Sequence, residues 1–312
     1  MYKVLITDKL PESALSLIQG KNGYDVQVMT TISPEDLIPT IEPFHALVIR
    51  SRTKVDRKLL ESAKNLKVIG RAGTGLDNVD TKAAREKGID VLNTPGSNSD
   101  AVAELTIGLC FMLARNLYRA ISSLKAHEWL KTELIGTEIA GKTIGLIGFG
   151  SIGRRVGLRA SALGMRVLSY KPSPIHKSPG YEFELVPLEE LLSKSDYVSL
   201  HVPKNPDTAN MITYRHLSMM KPSAYLINTA RGGIVSETDL LKALNENRLA
   251  GAALDVFDTE PPAGSGLIDH PKVIASPHIG AATAESQERV SHDIIKAVMN
   301  LLETKYLFIT GK

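Results

Sequence analysis

Short β-rich runs alternate with helical segments along the whole chain, which leaves few architectures open: a parallel sheet wound by helices on both faces. The first third carries strand-like runs over residues 3–7, 25–29, 46–50, 67–70 and 90–93, with helical stretches over 12–18, 34–40, 56–63 and 81–87. A second series follows, with strands expected over 143–147, 166–170, 197–202, 224–228, 251–256 and 273–276. Between the two series the rhythm breaks. Asn98 to Ala120 reads as one long helix, capped by Ser99 or Asp100 and apolar on most faces, which demands burial in a core or against a second subunit. From Ala284 the chain reads as a helix and then a short strand or extended tail over 306–310. At 312 residues it is about twice a usual domain of ~150, so two α/β domains are expected.

Composition narrows the function classes. The 43% hydrophobic and 23% charged residues are ordinary globular values. With 37 Lys and Arg against 34 Asp and Glu, the formal charge of +3 gives no electrostatic reason to expect nucleic acid or a membrane as partner. The single cysteine, Cys110, excludes an intrachain disulfide and a thiolate metal cluster. The histidines share no ligand spacing, so no metal site is expected. The N-terminus lacks the pattern of a signal peptide, and the richest apolar run, 107–114, is far short of the ~18 residues of a membrane span. A cytoplasmic location is the expectation.

The sharpest local feature is Gly148-x-Gly150-x-x-Gly153, directly after an apolar strand and before a helix. Gly148 permits the tight turn, Gly150 lets the backbone approach a pyrophosphate, and Gly153 lets helix and strand pack closely. The helix N-terminus, at Ser151 and Ile152, offers unpaired N–H groups and partial positive charge to phosphates. In that context the spacing points to a dinucleotide. The acidic residue that normally holds the adenosine ribose is missing: the tip of the next strand is Lys171. A lysine cannot accept from ribose hydroxyls but pairs with a 2′-phosphate, and Lys177 is near in sequence, so NAD is expected with NADP as an alternative. As a solvated loop residue, Lys171 would carry no such meaning.

Three further segments follow expected strand ends. Asn228–Glu237 contains Arg231, 254–262 contains Asp255 and Glu260, and 276–283 contains His278. Ligands of open α/β sheets bind beyond the carboxyl ends of the strands, so these residues can share one crevice. Singly, each has an ordinary explanation as a surface ion pair, a loop solvator or a capped turn. In this order, with the glycine turn and 73–78, the sequence resembles the D-isomer-specific 2-hydroxyacid dehydrogenases over essentially its whole length.

That resemblance implies a flavodoxin-like substrate domain over 1–95 plus 284–312, with a Rossmann-type cofactor domain over 96–283 inserted in it. It implies Arg231, Glu260 and His278 as the catalytic set. Arg231 supplies a planar fork for a carboxylate. Histidine's unperturbed pKa of ~6.5 suits the residue type to a proton donor and acceptor, and a carboxylate beside an imidazole orients it and favours its protonated form. Further cofactor contacts are implied for Ser151, Ile152, the Thr229–Ala230–Arg231 stretch, His201–Val202–Pro203, Asp255, His278 and Gly280. Asp255 is given the nicotinamide carboxamide, or simply the end of its strand; His201 is equally readable as a core histidine.

For the substrate, Gly73 and Thr74 present backbone N–H groups to a carboxylate, and Arg50 and Arg52 offer two guanidinium groups to an anionic tail such as phosphate. Residues 93–98 read as a hinge that brings Asn98 to the substrate. Within the family, 50–53 and 97–98 most resemble the branch acting on 3-phosphoglycerate. A glyoxylate or hydroxypyruvate reductase is the alternative, and an NAD-sensing corepressor a more distant one. With the chain ending at Lys312, feedback through a C-terminal regulatory domain is not expected. A homodimer through 98–120 and Trp129 is implied.

Overall fold

The structure is a computed structural model that describes residues 1–171 and 183–306; Lys177 and the tail expected beyond Tyr306 lie outside the described residues. The chain divides into two compact units, Met1–Asn98 with the chain from Ala282 onward, and Ser99–Ala281.

The first unit has five parallel strands: β1 (Tyr2–Ile6), β2 (Tyr24–Val28), β3 (Ala46–Ile49), β4 (Val68–Arg71) and β5 (Asp90–Leu92). Their order, β2-β1-β3-β4-β5, is the flavodoxin-like winding. Val4, Leu5 and Ile6 have no exposed surface although neighbours in a strand face opposite ways, which is how a sheet covered on both faces reads. Connecting helices start where polar caps allow. Ser33, Asp56 and Asp80 accept from the amides of Asp36, Leu59 and Ala83. The helix Ala284–Lys305 returns to this sheet. A Cβ on Gly70 of β4 would lie 2.6 Å from Val298 Cγ2, so glycine there makes room for that helix.

The second unit has seven parallel strands: β6 (Thr143–Ile147), β7 (Arg166–Tyr170), β8 (Glu184–Leu185), β9 (Tyr197–Leu200), β10 (Tyr225–Asn228), β11 (Gly251–Leu254) and β12 (Val273–Ala275). Their order is β12-β11-β10-β9-β6-β7-β8. Counted from β6 this is the Rossmann order 3-2-1-4-5-6 with a seventh strand added, and the winding reverses between β6 and β9. The expected fold class, two doubly wound parallel sheets, is the one observed.

One expectation is corrected. The helix read from Asn98 to Ala120 is two helices, Ser99–Ala114 and Leu117–Lys125, bent by 66°. Asn116 takes a left-handed backbone at φ +50, which asparagine tolerates better than most residues. The Ala114 carbonyl accepts from Thr137 instead of continuing a helix, and Gly136 passes so close that a Cβ would stand 2.4 Å from that oxygen. The first helix is largely buried, whereas the second exposes Leu117, Tyr118, Ile121 and Leu124. Among the described residues no single helix is long and apolar enough to cross a membrane.

Candidate active site

The glycine turn lies at the reversal point of the second sheet. Ile147 at the end of β6 pairs with Leu200 at the end of β9. Gly148 has φ +101, and a Cβ there would stand 2.5 Å from the His201 carbonyl oxygen. A Cβ on Gly153 would lie 2.3 Å from the Gly148 oxygen, so helix and strand touch through these two glycines. Gly150, the N-cap of the helix Ser151–Ala162, has open space around its missing side chain. The turn therefore has two glycines forced by its own packing and a third that leaves a gap in front of the first helical amides. A pyrophosphate fits that combination. His201 bonds Ser199 Oγ through Nε2 at 3.0 Å, and burial holds its pKa down at about 3, so the ring is neutral beside the turn. Lys171 stands exposed just past β7.

The three candidate catalytic residues follow three neighbouring strands, with Asn228 registered on Leu254 and Leu254 on Ala275. After β10, buried Asn228 shapes the next turn: its Oδ1 accepts from the Ala230 amide and its Nδ2 donates to the Arg231 carbonyl. Arg231 Nη1 donates to the Ala230 carbonyl at 2.7 Å. Thr229 is tied by its hydroxyl to Thr106 on the buried helix, 3.0 Å away. Gly232 then presses on the loop after β11, where a Cβ would fall 1.8 Å from the Phe257 oxygen. That loop delivers Glu260, whose Oε1 accepts from the Phe257 amide.

Glu260 Oε2 and His278 Nδ1 are 2.7 Å apart. A carboxylate only accepts, so Nδ1–H donates, which leaves Nε2 as the ring nitrogen that can take or give a proton. Among the described residues Nε2 has no hydrogen-bond partner. Both side chains are partly open, at 46% and 38% exposed. His278 has φ +52, a left-handed backbone that costs on the order of 1 kcal/mol outside glycine. Asp255 is fully buried, and its oxygens face the His278 loop, accepting from Ser276, Ile279 and Gly280. Asn228, Thr106, Gly232 and Ser276 carry no role in a motif reading; Gly232-Gly233 is the one trace in the sequence of the close approach.

In the first unit, the segment after β4 is tied to residues 93–98. Thr94 donates to the Gly73 carbonyl, Asn93 Nδ2 to the Thr74 carbonyl, and Thr74 Oγ1 to Asn98 Oδ1 at 2.8 Å. Gly73 has φ +145, and the Arg71 guanidinium packs where its side chain would be. Among the described residues the Gly73 and Thr74 amides have no acceptor. The two arginines after β3 part company. Arg52 donates from Nε to Asp8, from Nη1 to the Ile32 carbonyl and from Nη2 to the Thr7 carbonyl, so each of its three guanidinium nitrogens has a partner. Among the described residues the Arg50 guanidinium makes only long contacts, from Nη1 3.4 Å to the Lys9 carbonyl and 3.5 Å to Gln287. Of the expected pair, Arg50 retains the looser guanidinium.

Comparison with known proteins identifies the family. Residues 107–280 match the family described as D-isomer specific 2-hydroxyacid dehydrogenase, NAD binding domain. A D-3-phosphoglycerate dehydrogenase of Methanocaldococcus jannaschii is 42% identical over 97% of this chain, which spans only 58% of that protein's length. A hydroxypyruvate reductase of Thermotoga maritima is 41% identical, covering 96% of this chain and 98% of its own. A solved structure from Thermus thermophilus superposes with TM-score 0.88 at 36% identity, covering 96% of this chain and 97% of that one. Sheet order, strand-end placement and similarity together lead to one conclusion: the chain belongs to the D-isomer-specific 2-hydroxyacid dehydrogenase family.

Proposed function

We propose that the chain is a nicotinamide-dependent oxidoreductase that transfers a hydride between its cofactor and C2 of a D-2-hydroxy acid, with 3-phosphoglycerate and 3-phosphohydroxypyruvate as the leading pair. The observation that carries the reading is the 2.7 Å bond between His278 Nδ1 and Glu260 Oε2. In the oxidation direction His278 Nε2 takes the hydroxyl proton, and Glu260 offsets the charge that builds on the ring. In reduction the same nitrogen returns the proton to the carbonyl oxygen. Arg231 holds the substrate carboxylate with its planar fork, and the Gly73 and Thr74 amides are assigned the same group. Asn98 completes the assigned substrate set.

Gly148, Gly150 and Gly153, with the amides of Ser151 and Ile152, would hold the pyrophosphate of a dinucleotide. Thr229, Ala230 and Gly280 are assigned its nicotinamide side, and His201, Val202 and Pro203 its adenine side. When bound, the nicotinamide supplies the hydride acceptor or donor. Lys171 is assigned an adenosine 2′-phosphate, which makes NADP a cofactor beside NAD; NAD binding more than about a hundredfold tighter would remove that assignment.

A second reading, reduction of hydroxypyruvate or glyoxylate, is favoured by the engaged fork of Arg52, which leaves one arginine of the pair for a phosphate. Rates with 3-phosphoglycerate, hydroxypyruvate and glyoxylate, each with both cofactors, decide between them. Arg50→Ala should raise KM for the phosphorylated acid about tenfold and leave that for hydroxypyruvate alone. His278→Ala should cut kcat by about 10²–10⁴. Cofactor binding without turnover of any hydroxy acid would point instead to a sensing protein. We also assign a homodimer to the exposed face of Leu117, Tyr118, Ile121 and Leu124, with Trp129 nearby in sequence; a monomer by light scattering at micromolar concentration would refute it.

A further inference from the structure

A buried carboxylate behind His278 remains without a part in the proton transfer. Asp255 follows β11 directly and has no exposed surface. Its Oδ1 accepts from Ser276 Oγ at 2.6 Å and from the Ile279 amide at 2.8 Å, and its Oδ2 accepts from the Gly280 amide at 2.7 Å. These donors stand on both sides of His278, two residues before it and one and two after it. The carboxylate is itself held, because the Asp255 amide donates to the Asn228 carbonyl and Ser276 donates to the Leu254 carbonyl. A Cβ on Gly280 would come within 3.0 Å of Oδ2, so that residue also lies close against the carboxylate.

The loop so held is not one the chain adopts freely, since His278 sits at φ +52 with its amide bonded back to the Ser276 carbonyl. A left-handed residue persists when its surroundings over-determine it, and three hydrogen bonds to one buried anion do that. We propose that Asp255 is a positioning residue: its carboxylate clamps residues 276–280 in the shape that aims the His278 ring at Glu260 and leaves Nε2 for the substrate. The proposal rests on the reading of His278 as the acid–base group. It assigns Asp255 a task toward the loop, distinct from the carboxamide contact that the family resemblance implies.

Asp255→Asn tests it, because it keeps the shape and turns one acceptor oxygen into a donor that faces another donor. In the wild-type background kcat/KM should fall at least thirtyfold, while the NADH dissociation constant from fluorescence titration changes less than threefold. In a Glu260→Gln background the same substitution should cost less than threefold, since the geometry it protects is already lost. A clamp of purely structural value would cost the same in both backgrounds, and that result overturns the proposal. So does a tenfold weaker NADH affinity with kcat unchanged, which marks a cofactor contact. A crystal structure of Asp255→Asn gives an answer without turnover: His278 displaced from Glu260 supports the clamp, and the wild-type 2.7 Å contact retained overturns it. If the wild type turns over no hydroxy or oxo acid, the proposed function falls and the crystal structure alone decides the clamp. Should Asp255→Asn not fold, Ser276→Ala, which removes one of the three bonds, carries the same comparison with an expected loss of threefold to tenfold.

Discussion

Gly232→Ala is the substitution whose cost can be worked most directly from the structure. No left-handed backbone requires glycine at 232, so the reason for it is space alone. The added Cβ would fall 1.8 Å from the Phe257 oxygen and 2.1 Å from its carbonyl carbon, and these are backbone atoms that cannot swing aside. A close C···O approach is about 3.3 Å, so the two loops must separate by roughly 1.5 Å. One of those loops carries Arg231 and the other Glu260, which is itself held by the Phe257 amide. Overpacking of this kind costs about 1–3 kcal/mol, and a unit the size of Ser99–Ala281 loses about 2–4 °C in Tm per kcal/mol. A drop of about 2–12 °C is expected. Misplacing a reacting group by about 1 Å can cost about a hundredfold in rate, so kcat/KM should fall by about that factor. Scanning fluorimetry and steady-state rates of NADH formation measure both. A variant with undiminished kcat/KM would refute the claim that contact between these loops sets the catalytic geometry, whatever its Tm.

Gly150→Ala should behave oppositely, because a Cβ there meets nothing within 4 Å: Tm stays within about 2 °C while NADH affinity, read by calorimetry, weakens at least about tenfold. Burial pushes the Asp196 carboxyl up, but the Lys221 ammonium at 2.8 Å and the Thr143 amide outweigh it and hold it below its ordinary value. Its contribution is therefore complete above pH ~3.8 and is lost as pH falls through the lower folded value. Asp196→Asn should cost about 1 kcal/mol by urea melts at pH 7, shrinking below pH 4. For His201 the unfolded chain takes up a proton below pH ~6.5 that the folded protein refuses until about pH 3, so stability drains across that window. His201→Gln should flatten the fall of Tm between pH 6.5 and 4, and an unchanged slope would refute the assignment.

The sequence made the sheets legible because, among the described residues, every strand but Glu184–Leu185 carries its own apolar run. The expected helix over 34–40 matches Pro34–Thr40, where Ser33 caps and proline opens the helix. The expected ends of 143–147 and 166–170 match the ladders, whereas 197–202 overruns Tyr197–Leu200 and 251–256 overruns Gly251–Leu254 by two residues each, because Val202 and Val256 carry the β-branched pattern past the last ladder bond. The missed strand, Glu184–Leu185, has two exposed residues and no pattern to read. The break after Ala114 was illegible for a different reason. It is enforced by Gly136 and Thr137, more than twenty residues on, and local periodicity carries no trace of them.

The same distinction runs through the site. Gly148 and Gly153 are readable from their spacing at a strand end, whereas strand-end position only placed Arg231, Glu260 and His278 on one sheet edge and the family resemblance nominated them as a set. What positions them was less open to that reading. Asp255 stands next to a strand and reads as its end or as a ligand contact, yet its oxygens are taken by a loop more than twenty residues later. Gly232 reads as an ordinary turn glycine until the Phe257 carbonyl is placed beside it. Both are contacts between loops on neighbouring strands β10, β11 and β12, and they follow from the sheet order. A motif can therefore nominate candidate site residues, whereas the contacts of Asp255 and Gly232 with neighbouring loops become visible only when the strand order shows which loops adjoin.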